Sequence, residues 1–406
     1  MNNKKYVRMV VLLCAITYFI SYITRINYGS LVHEIRLERG DLVSLVLTGL
    51  AITYGVGQLL SGYMGDKIKP ENLVFYALLT TVCMNFLLPI FDNVWVMTVI
   101  WCINGLAQAF MWPPLVKYMT ELLTDEEYTS GCVKVSWGAS IGTIFIYLLS
   151  PFCVKFFSWK YVFYISALAA LIMAFIWKRA SVLLANKRIL SDDDKKEDVI
   201  KEETVEPMHW NFGLILVLGG IMLAIALQGI LRDGIQDWMP TYIDETYNLG
   251  SAISILTGVL MPIFSIISLK VASVIYTKWL KTETVCAAVI FAVAAVASFI
   301  LCMVFDKTPV ISVIISALVT ASMHGVNFAL IGMIPPKFKK YGKVSFMSGL
   351  LNSCTYIGAA IAGYGMPIFA DVFGWNITIL MWGVVAMVGF VICSALTRPW
   401  KNFIRR

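Results

Sequence analysis

Charged residues are scarce in this chain of 406 residues: they make up 14% of it, whereas 59% of its residues are hydrophobic. A soluble protein needs about a quarter of its residues charged to keep its surface in water. The composition therefore excludes an ordinary soluble protein and indicates one that crosses a membrane several times. The net charge of +7 is not concentrated in basic segments interleaved with aromatics, so we expect no nucleic-acid partner.

Motifs for catalysis and for metal or nucleotide binding are also lacking. The nine cysteines mostly lie singly within apolar runs, without the close pairs that metal or redox sites require. No glycine-rich phosphate loop ending in Lys-Ser or Lys-Thr occurs, and no nucleophile lies at a recognisable spacing from a base. We therefore expect no enzyme activity, no catalytic residues, no cofactor and no metal site.

Apolar runs of about 20 residues, the length needed to cross the hydrocarbon core, form two groups of six. The predicted spans are 7–30, 41–65, 72–91, 94–121, 131–156, 160–178, 211–243, 250–277, 283–305, 308–334, 344–370 and 375–397. This pattern predicts an all-α membrane protein of twelve transmembrane helices in two pseudo-symmetric six-helix bundles. The bundles are expected over residues 1–178 and 210–406, joined by a polar linker over residues 179–209.

Lysine and arginine residues are distributed unevenly among the predicted loops. If both termini face the cytoplasm, most of these residues lie on the cytoplasmic side. The outer side then has only Arg36, Arg39, Lys155, Lys160 and Lys307. Because basic residues accumulate in cytoplasmic loops, we expect cytoplasmic termini and an even number of spans.

Two arginines interrupt the apolar runs. Arg25 lies in the first predicted span and Arg232 in the seventh, 207 positions apart (232 − 25) and thus about half the chain. A guanidinium is costly in hydrocarbon, so it usually faces a protein interior or water-filled cavity and marks a pathway. The matching placement predicts a duplicated six-helix unit with an anion site between its halves.

Other polar side chains share a helix face with these arginines. Tyr18, Tyr22 and Arg25 are spaced i, i+4 and i+7, and Gln236 follows Arg232 by four residues. Polar faces of this kind either line a cavity or bond to another helix. We predict that the two arginine-bearing faces line a cavity.

Two acids accompany Arg232 in the seventh span. Asp233 and Asp237 are four residues apart, and two carboxylates on one buried face cannot both stay ionised cheaply. One of them is then protonated, or each pairs with an arginine. A structural ion pair with a buried carboxylate is therefore an alternative to anion binding for either arginine, Arg25 or Arg232. We also hypothesise that one of the two acids takes up a proton during the functional cycle.

The turn after the second span reads Gly62-Tyr63-Met64-Gly65-Asp66-Lys67. Its glycines permit close helix approach, and Asp66 can sit at a helix end with lysines as partners. The turn resembles the loop motif of the major facilitator superfamily. That resemblance implies a gating role without substrate contact for Gly62, Asp66 and Lys67. The alternative is a capped turn with a structural role only.

Three further stretches resemble the organophosphate:phosphate antiporter family, which includes glycerol 3-phosphate and hexose 6-phosphate transporters. They are residues 22–27, residues 104–114 with Trp112-Pro113-Pro114, which we expect to bend the fourth helix, and residues 231–242. The resemblance implies the major facilitator fold and exchange of a small organic anion, foremost a phosphorylated metabolite, for inorganic phosphate. It also implies that Arg25 and Arg232 clamp the phosphoryl group.

Further candidate substrate-binding residues come from this resemblance and from helical spacing. They are Tyr18, Tyr22, Gln58, Gln108, Trp112, Gln236, His324 and Asn327. His324 and Asn327 lie one turn apart in the tenth span, in a region that lines the cavity in the family. A hydrogen-bonded packing role is the alternative for His324.

The chain departs from the family pattern at four positions. Gln58, Ala139 and Ile26 stand where relatives carry or can carry cations, and Asp233 replaces what is often an aromatic residue. A less positive pocket admits a less charged anion or a zwitterion. A proton-coupled transporter of a carboxylate or zwitterion therefore remains an alternative. So does a transporter-like sensor of a sugar phosphate that signals through residues 179–209.

The family resemblance also implies where the protein acts and what it contacts. We expect a monomeric integral protein of a bacterial inner membrane. Its expected partners are the lipid bilayer and an anionic small molecule.

Overall fold

The computed structural model describes residues 3–193, 206–208, 210–248 and 260–404. These residues form helices and short connections, and no strand occurs among them. The helices are α1 (Asn3–Arg39), α2 (Ser44–Lys67), α3 (Pro70–Leu87), α4 (Val94–Ala109), α5 (Trp112–Leu122), α6 (Asp125–Phe156), α7 (Lys160–Asp193), α8 (Phe212–Tyr247), α9 (Leu260–Ile275), α10 (Glu283–Val304), α11 (Pro309–Asn327) and α12 (Val344–Ile404). Wider π-helical turns follow α9 at Tyr276–Leu280 and α11 at Phe328–Gly332.

Eleven helical segments in the described ranges are long and apolar enough to cross a membrane. The last, α12, has 61 residues with non-helical backbone at Gly374 (φ 79°, ψ 166°). At about 1.5 Å per residue it is roughly three times as long as the hydrocarbon core is thick. It therefore comprises two spans that meet at Gly374. Twelve spans result, which confirms the predicted all-α membrane fold.

The fourth span is interrupted where the two prolines follow Trp112. Helix α4 ends at Ala109, and α5 begins at Trp112 with Pro113 and Pro114 in its first turn. Proline lacks a backbone N–H and fits best in the first turn of a helix, where that N–H would have no intrahelical partner. The predicted bend is thus present, and it places Trp112 at a helix start.

The described chain separates into two compact units. The first comprises Met1–Pro207 and Phe338–Leu350, and the second comprises Met208–Lys337 and Leu351–Arg406. Helix α7 continues to Asp193, beyond residue 178, where we predicted the linker to begin. Residues 194–205 and 209 of the predicted linker lie outside the described residues, as does the predicted start of the eighth span at residue 250.

Helix pairing follows one pattern in both units. In the first unit α1 packs on α6, α2 on α4 and α3 on α7, which pairs the first span with the fifth, the second with the fourth and the third with the sixth. In the second unit α9 packs on α11, α8 contacts the first half of α12, and α10 contacts its second half. The same spans are therefore paired in each bundle, as a duplicated unit requires.

Glycines bring the two arginine-bearing helices close to their partners. A Cβ at Gly138 of α6 would collide with the carbonyl oxygen of Ala15 in α1. A Cβ at Gly358 of α12 would collide with that of Ala226 in α8. Only glycine permits this backbone approach, and such contacts supply much of the packing between membrane helices.

A buried carboxylate ties several helices of the second unit together. Glu283 begins α10, and its side chain is 1% exposed. It accepts hydrogen bonds from the hydroxyl of Tyr276 and from Nε1 of Trp400, both at 2.8 Å. Lys337 Nζ lies 3.6 Å from its Oε1. The buried charge is therefore both paired and hydrogen-bonded, as burial of a charge requires.

Candidate functional site

Arg25 lies against aromatic rings in the first unit. Its guanidinium carbon is 4.3 Å from the ring centroid of Tyr22 and 4.6 Å from that of Tyr54. Tyr22 precedes Arg25 by about one turn of α1, whereas Tyr54 belongs to α2 and is buried. Aromatic faces stabilise a cation without accepting its in-plane N–H bonds. A guanidinium held in this way presents the planar fork of N–H groups that suits an oxyanion.

The aromatic cluster continues from Arg25 to the break in the fourth span. The rings of Tyr18 and Tyr22 are 5.1 Å apart, and Tyr18 lies 5.1 Å from Trp112. The structure therefore brings together four of the predicted residues. The indole Nε1 of Trp112 is buried and has no hydrogen-bond partner among the described residues. An unsatisfied buried donor at such a place suits a ligand oxygen or a bound water.

Gln108, another predicted substrate-binding residue, is hydrogen-bonded to neighbouring helices. It is fully buried, its Oε1 accepts from the Ser21 hydroxyl at 2.5 Å, and its Nε2 donates to the hydroxyls of Thr24 at 2.8 Å and Thr81 at 3.3 Å. These bonds link α4 to α1 and α3. Gln58 is also fully buried, and its Nε2 donates to the carbonyl of Ala109 at 3.4 Å. Both amides thus take part in helix packing, and their predicted substrate contact stays a prediction.

Arg232 of the second unit forms an ion pair with the residue that follows it. Its Nε donates to Oδ1 of Asp233 at 2.6 Å, and its Nη2 donates to Oδ2 at 2.9 Å. The two side chains are 15% and 20% exposed. The structure therefore contains the arginine–carboxylate pair that the sequence left open as an alternative.

Asp237 and Gln236 lie one turn further along α8. Both side chains are exposed, and Asp237 has no hydrogen bond or ion pair with any described residue. It remains within electrostatic range of Asp233 and Arg232. A carboxylate so placed within a membrane span requires water or a cation beside it. The two acids therefore differ: Asp233 pairs with Arg232, whereas Asp237 pairs with none of the described residues.

His324 and Asn327 lie near the end of α11. Both are half-buried, and neither has a hydrogen-bond partner in the described part of the chain. His324 is within electrostatic range of both Arg232 and Asp233. Helices α8 and α11 pack against each other. The structure thus places the predicted histidine near the predicted arginine within the second unit.

The gating motif ends α2, and its carboxylate caps another helix. Asp66 Oδ1 accepts from the backbone N–H of Ser345 at 2.9 Å, and Oδ2 accepts from that of Phe346 at 3.1 Å. These N–H groups belong to the first turn of α12, where the helix dipole favours an anion. A Cβ at Gly62 would press on the carbonyl oxygens of the same two residues. Gly62 and Asp66 thus act together at this contact.

The lysines near this turn, Lys67 and Lys117, do not bond to the Asp66 carboxylate as we expected. Lys67 donates to the hydroxyl of Tyr63 and lies over its ring. Lys117 of α5 donates to the carbonyl oxygens of Gly65 at 2.8 Å and Asp66 at 3.2 Å. Its cation thereby caps the carboxyl end of α2. Backbone amides, and not lysines, are the direct partners of the Asp66 carboxylate.

Sequence reasoning missed two residues at these sites. Tyr54 lies one turn before Gln58 on α2, so the i, i+4 spacing that we applied to α1 would have indicated it. Lys117 lies inside the fourth predicted span, where any charge marks a specific partner. No group of three or more metal-ligating side chains occurs in the described part of the chain.

Twelve spans in two repeated bundles, each with an arginine in its first span, define a polytopic membrane protein built like a secondary transporter. The chain belongs to the Major Facilitator Superfamily, whose family model matches residues 14–363.

Several known proteins resemble the chain over much of its length. The "Probable hexose phosphate transport protein" of Chlamydia muridarum is 22% identical, over 92% of this chain and 88% of that protein. The "Glycerol-3-phosphate transporter" of Bacillus subtilis is 24% identical, over 82% and 79%. The "Membrane sensor protein UhpC" of Salmonella typhimurium is 21% identical, over 56% and 55%. These likenesses agree with the resemblance to organophosphate:phosphate antiporters.

A solved structure has the same fold. The proton:xylose symporter XylE aligns with a TM-score of 0.74 over 96% of this chain and 95% of its own, at 12% identity. At that identity the likeness shows the fold alone.

Proposed function

We propose that this protein moves a small phosphorylated metabolite across a membrane by alternating access, in exchange for inorganic phosphate. The observation that carries the proposal is the setting of Arg25, whose guanidinium lies against the rings of Tyr22 and Tyr54 within a membrane span. Relatives named as hexose phosphate and glycerol-3-phosphate transport proteins support it.

The chemistry of arginine suits a phosphoryl group. A guanidinium is planar, stays charged at any working pH, and donates two parallel hydrogen bonds to a tetrahedral oxyanion. Arg25 of the first unit offers such donors, and Arg232 of the second unit offers them after exchanging Asp233 for a phosphoryl oxygen. Inorganic phosphate offers the same oxygens, so it occupies the same donors on the return step.

Orientation and gating complete the proposal. Both termini face the cytoplasm of a bacterium, on the basis of the lysine and arginine distribution, and the membrane is the inner one. Asp66 at the first turn of α12 makes and breaks its contact during the cycle, without touching the substrate. The protein acts as a monomer.

One observation favours a second candidate, a proton-coupled transporter of a carboxylate or zwitterion. Asp237 is an unpaired carboxylate within a span, as judged over the described residues, and such groups carry protons in many transporters. A third candidate, a sugar-phosphate sensor, draws on the likeness to the Membrane sensor protein UhpC. A sensor binds its ligand without net flux.

Counterflow in proteoliposomes tests the proposal. Vesicles loaded with phosphate receive radiolabelled glycerol 3-phosphate or glucose 6-phosphate, with and without a pH gradient. We expect uptake that depends on internal phosphate and not on the gradient. Uptake driven by the gradient alone identifies the proton-coupled candidate, and binding without uptake identifies the sensor.

Arginine-to-lysine variants test the site itself. We expect Arg25→Lys and Arg232→Lys each to abolish uptake, because a point charge cannot replace a bidentate fork. Arg8→Lys makes the same change at an exposed position of α1 and serves as the control. Full uptake by either site variant would contradict phosphoryl binding by that arginine.

A further inference from the structure

Two hydroxyls inside α11 are buried and unsatisfied. Ser316 is fully buried and Thr320 is 1% exposed, and neither hydroxyl bonds to any described residue. Serine and threonine within a helix can donate to the carbonyl four residues earlier, as Ser322 on the same helix does to Leu318 at 2.8 Å. Ser316 and Thr320 do not do so. Because buried polar groups are nearly always satisfied by protein, water or ligand, these two hydroxyls require a further partner.

Both hydroxyls belong to a row of polar side chains spaced four residues apart, which we call the polar row. It consists of Ser312, Ser316, Thr320 and His324. Residues at this spacing lie on one side of a helix, and α8 packs along α11. At one end of the row, Ser312 Oγ lies 2.8 Å from the hydroxyl of Tyr247 in α8. At the other end, His324 is within electrostatic range of Arg232 and Asp233 in α8. The unsatisfied hydroxyls between these ends therefore lie along the interface of α8 and α11.

The spacing of the polar row suits bridging water molecules. Four residues rise about 6 Å along a helix, which is too far for a direct hydrogen bond between successive hydroxyls. Two hydrogen bonds of about 2.8 Å in series cover about 5.6 Å, so a single water between neighbours joins them. A buried water needs at least two polar partners, and each gap of the row has one on either side.

The two ends of the polar row suit entry and storage of a proton. Tyr247 ends α8, at the outer face in the proposed orientation. Its hydroxyl and that of Tyr242 both donate to the carbonyl of Phe305. Asp306 follows Phe305, is exposed, and lies within electrostatic range of Tyr242. An acid in water thus stands beside one end of the row, while the imidazole of His324 at the other end can hold a proton.

Few charged groups of the described ranges surround His324. Arg232 and Asp233 of α8 lie within electrostatic range. Helices α9 and α10 also pack on α11. Their charged residues are Lys270, which is exposed, and Glu283, which is hydrogen-bonded at the start of α10. A proton on the imidazole therefore acts mainly on the pair formed by Arg232 and Asp233.

We propose that the polar row, with water molecules between its members, conducts protons between the membrane face at which α8 ends and the imidazole of His324. Each hydroxyl and each water accepts one proton and passes another on, so the proton that enters beside Tyr247 is balanced by the one that the imidazole nitrogen receives. The resulting positive charge offsets Asp233, whose carboxylate occupies Arg232. This inference goes beyond the proposed function and does not depend on it.

Exchange of the imidazole N–H with water tests the path. The chain has three histidines, so His33→Gln/His209→Gln leaves His324 alone, and NMR of this protein with isotope-labelled histidine gives the exchange rate. Thr320→Val replaces the hydroxyl by a methyl group of similar size. We expect it to slow exchange about tenfold, because the bridging waters lose a partner. Thr320→Ser keeps a hydroxyl and should keep the rate.

Two serine variants provide a matched comparison. Ser316→Ala removes an unsatisfied hydroxyl of the polar row, so we expect it to slow exchange as Thr320→Val does. Ser322→Ala removes a hydroxyl that bonds to the carbonyl of Leu318 in the same helix, and it should leave the rate unchanged. A thermal melt of each variant checks that it folds.

The outcomes either support the path or overturn it. Unchanged exchange in both Ser316→Ala and Thr320→Val overturns the proposal. Equal slowing in Ser322→Ala also overturns it, because a general effect on helix packing then explains the result. If the N–H of His324 does not exchange in the single-histidine protein, no water path reaches it. Transport is not measured, so failure of phosphate exchange leaves the test unaffected.

Discussion

Arg232 and Asp233 are sequence neighbours whose side chains turn towards each other and form two hydrogen bonds, of 2.6 and 2.9 Å. Adjacent residues on a helix point about 100° apart, and the long side chain of Arg232 spans that angle to reach the short Asp233 carboxylate. It occupies the donors that a phosphoryl group would use. An entering anion therefore competes with the Asp233 carboxylate for Arg232.

The first prediction concerns the Asp233 carboxylate, which pairs with Arg232. Asp233→Asn removes the competing charge, so we expect phosphate to bind about tenfold more tightly, which corresponds to about 1.4 kcal/mol. Hydrogen bonds to charged groups contribute about 1.5–3 kcal/mol, so the expected change is close to the lower end of that range. Titration calorimetry with inorganic phosphate measures the effect, with Asp233→Glu as the charge-retaining control. Weaker phosphate binding in Asp233→Asn would show that Asp233 positions Arg232 instead of competing for it.

The ring of Tyr54 supplies the second prediction. Its centroid lies 4.6 Å from the guanidinium carbon of Arg25, and such contacts contribute about 0.5–2 kcal/mol. Tyr54→Leu loses the aromatic face, so we expect substrate affinity to fall about fivefold. Tyr54→Phe keeps the face and should lose less. Dissociation constants of the substrate, measured for both variants, test this prediction. If both variants lose affinity equally, the effect belongs to the hydroxyl and not to the aromatic face.

The cap formed by Asp66 gives the third prediction. Asp66→Ala removes both acceptors from the first turn of α12, and lost caps cost about 0.5–2 kcal/mol. We expect faster hydrogen exchange at the amides of Ser345 and Phe346, and an altered transport rate with little change in substrate affinity. Asp125→Ala removes an exposed acid from the first turn of α6 and is the control. Unchanged exchange at these two amides would contradict the cap.

The buried Glu283 gives the fourth prediction, on stability. Leaving a buried hydrogen-bond donor without its acceptor costs about 1–3 kcal/mol. Glu283→Ala does so for both Tyr276 and Trp400, whereas the side chain of Lys337 is 30% exposed and keeps access to water. We therefore expect a clearly lower melting temperature or failure to accumulate in the membrane.

Lys337→Ala provides the comparison for Glu283. The carboxylate then keeps two neutral donors, so we expect a smaller loss of stability. Thermal melts in detergent, followed by the fluorescence of a thiol-reactive dye, rank the two variants. A larger loss for Lys337→Ala would mean that the ion pair, and not the hydrogen bonds, stabilises this part of the unit.

Much of the fold was predictable because a bilayer imposes strong rules. Spans must be apolar over about 20 residues, and their backbone groups must bond within the helix. The twelve spans, the bend at Trp112 and the repeat indicated by Arg25 and Arg232 follow from these rules. Helix ends were less predictable: α7 extends to Asp193 because amphipathic residues can continue a helix beyond the hydrocarbon.

The candidate site was predictable in part. Helical spacing correctly grouped Tyr18, Tyr22 and Arg25 on α1, since they are local in sequence. It could not place Tyr54 on the same guanidinium, because that contact depends on how α2 packs against α1. Nor could it tell that Gln108 bonds to Ser21, across 87 positions of chain.

Sequence alone determined the membrane fold, its two repeated halves and the presence of charges that must have partners. Composition and periodicity suffice for that, because they reflect the cost of exposing polar groups to hydrocarbon. Only the tertiary structure decided which partner each charge has. Asp233 pairs with Arg232, and Asp66 accepts hydrogen bonds from two backbone amides. Asp237 forms no hydrogen bond or ion pair with any described residue. Partner choice depends on distances of a few ångströms between side chains, and these are set by helix packing.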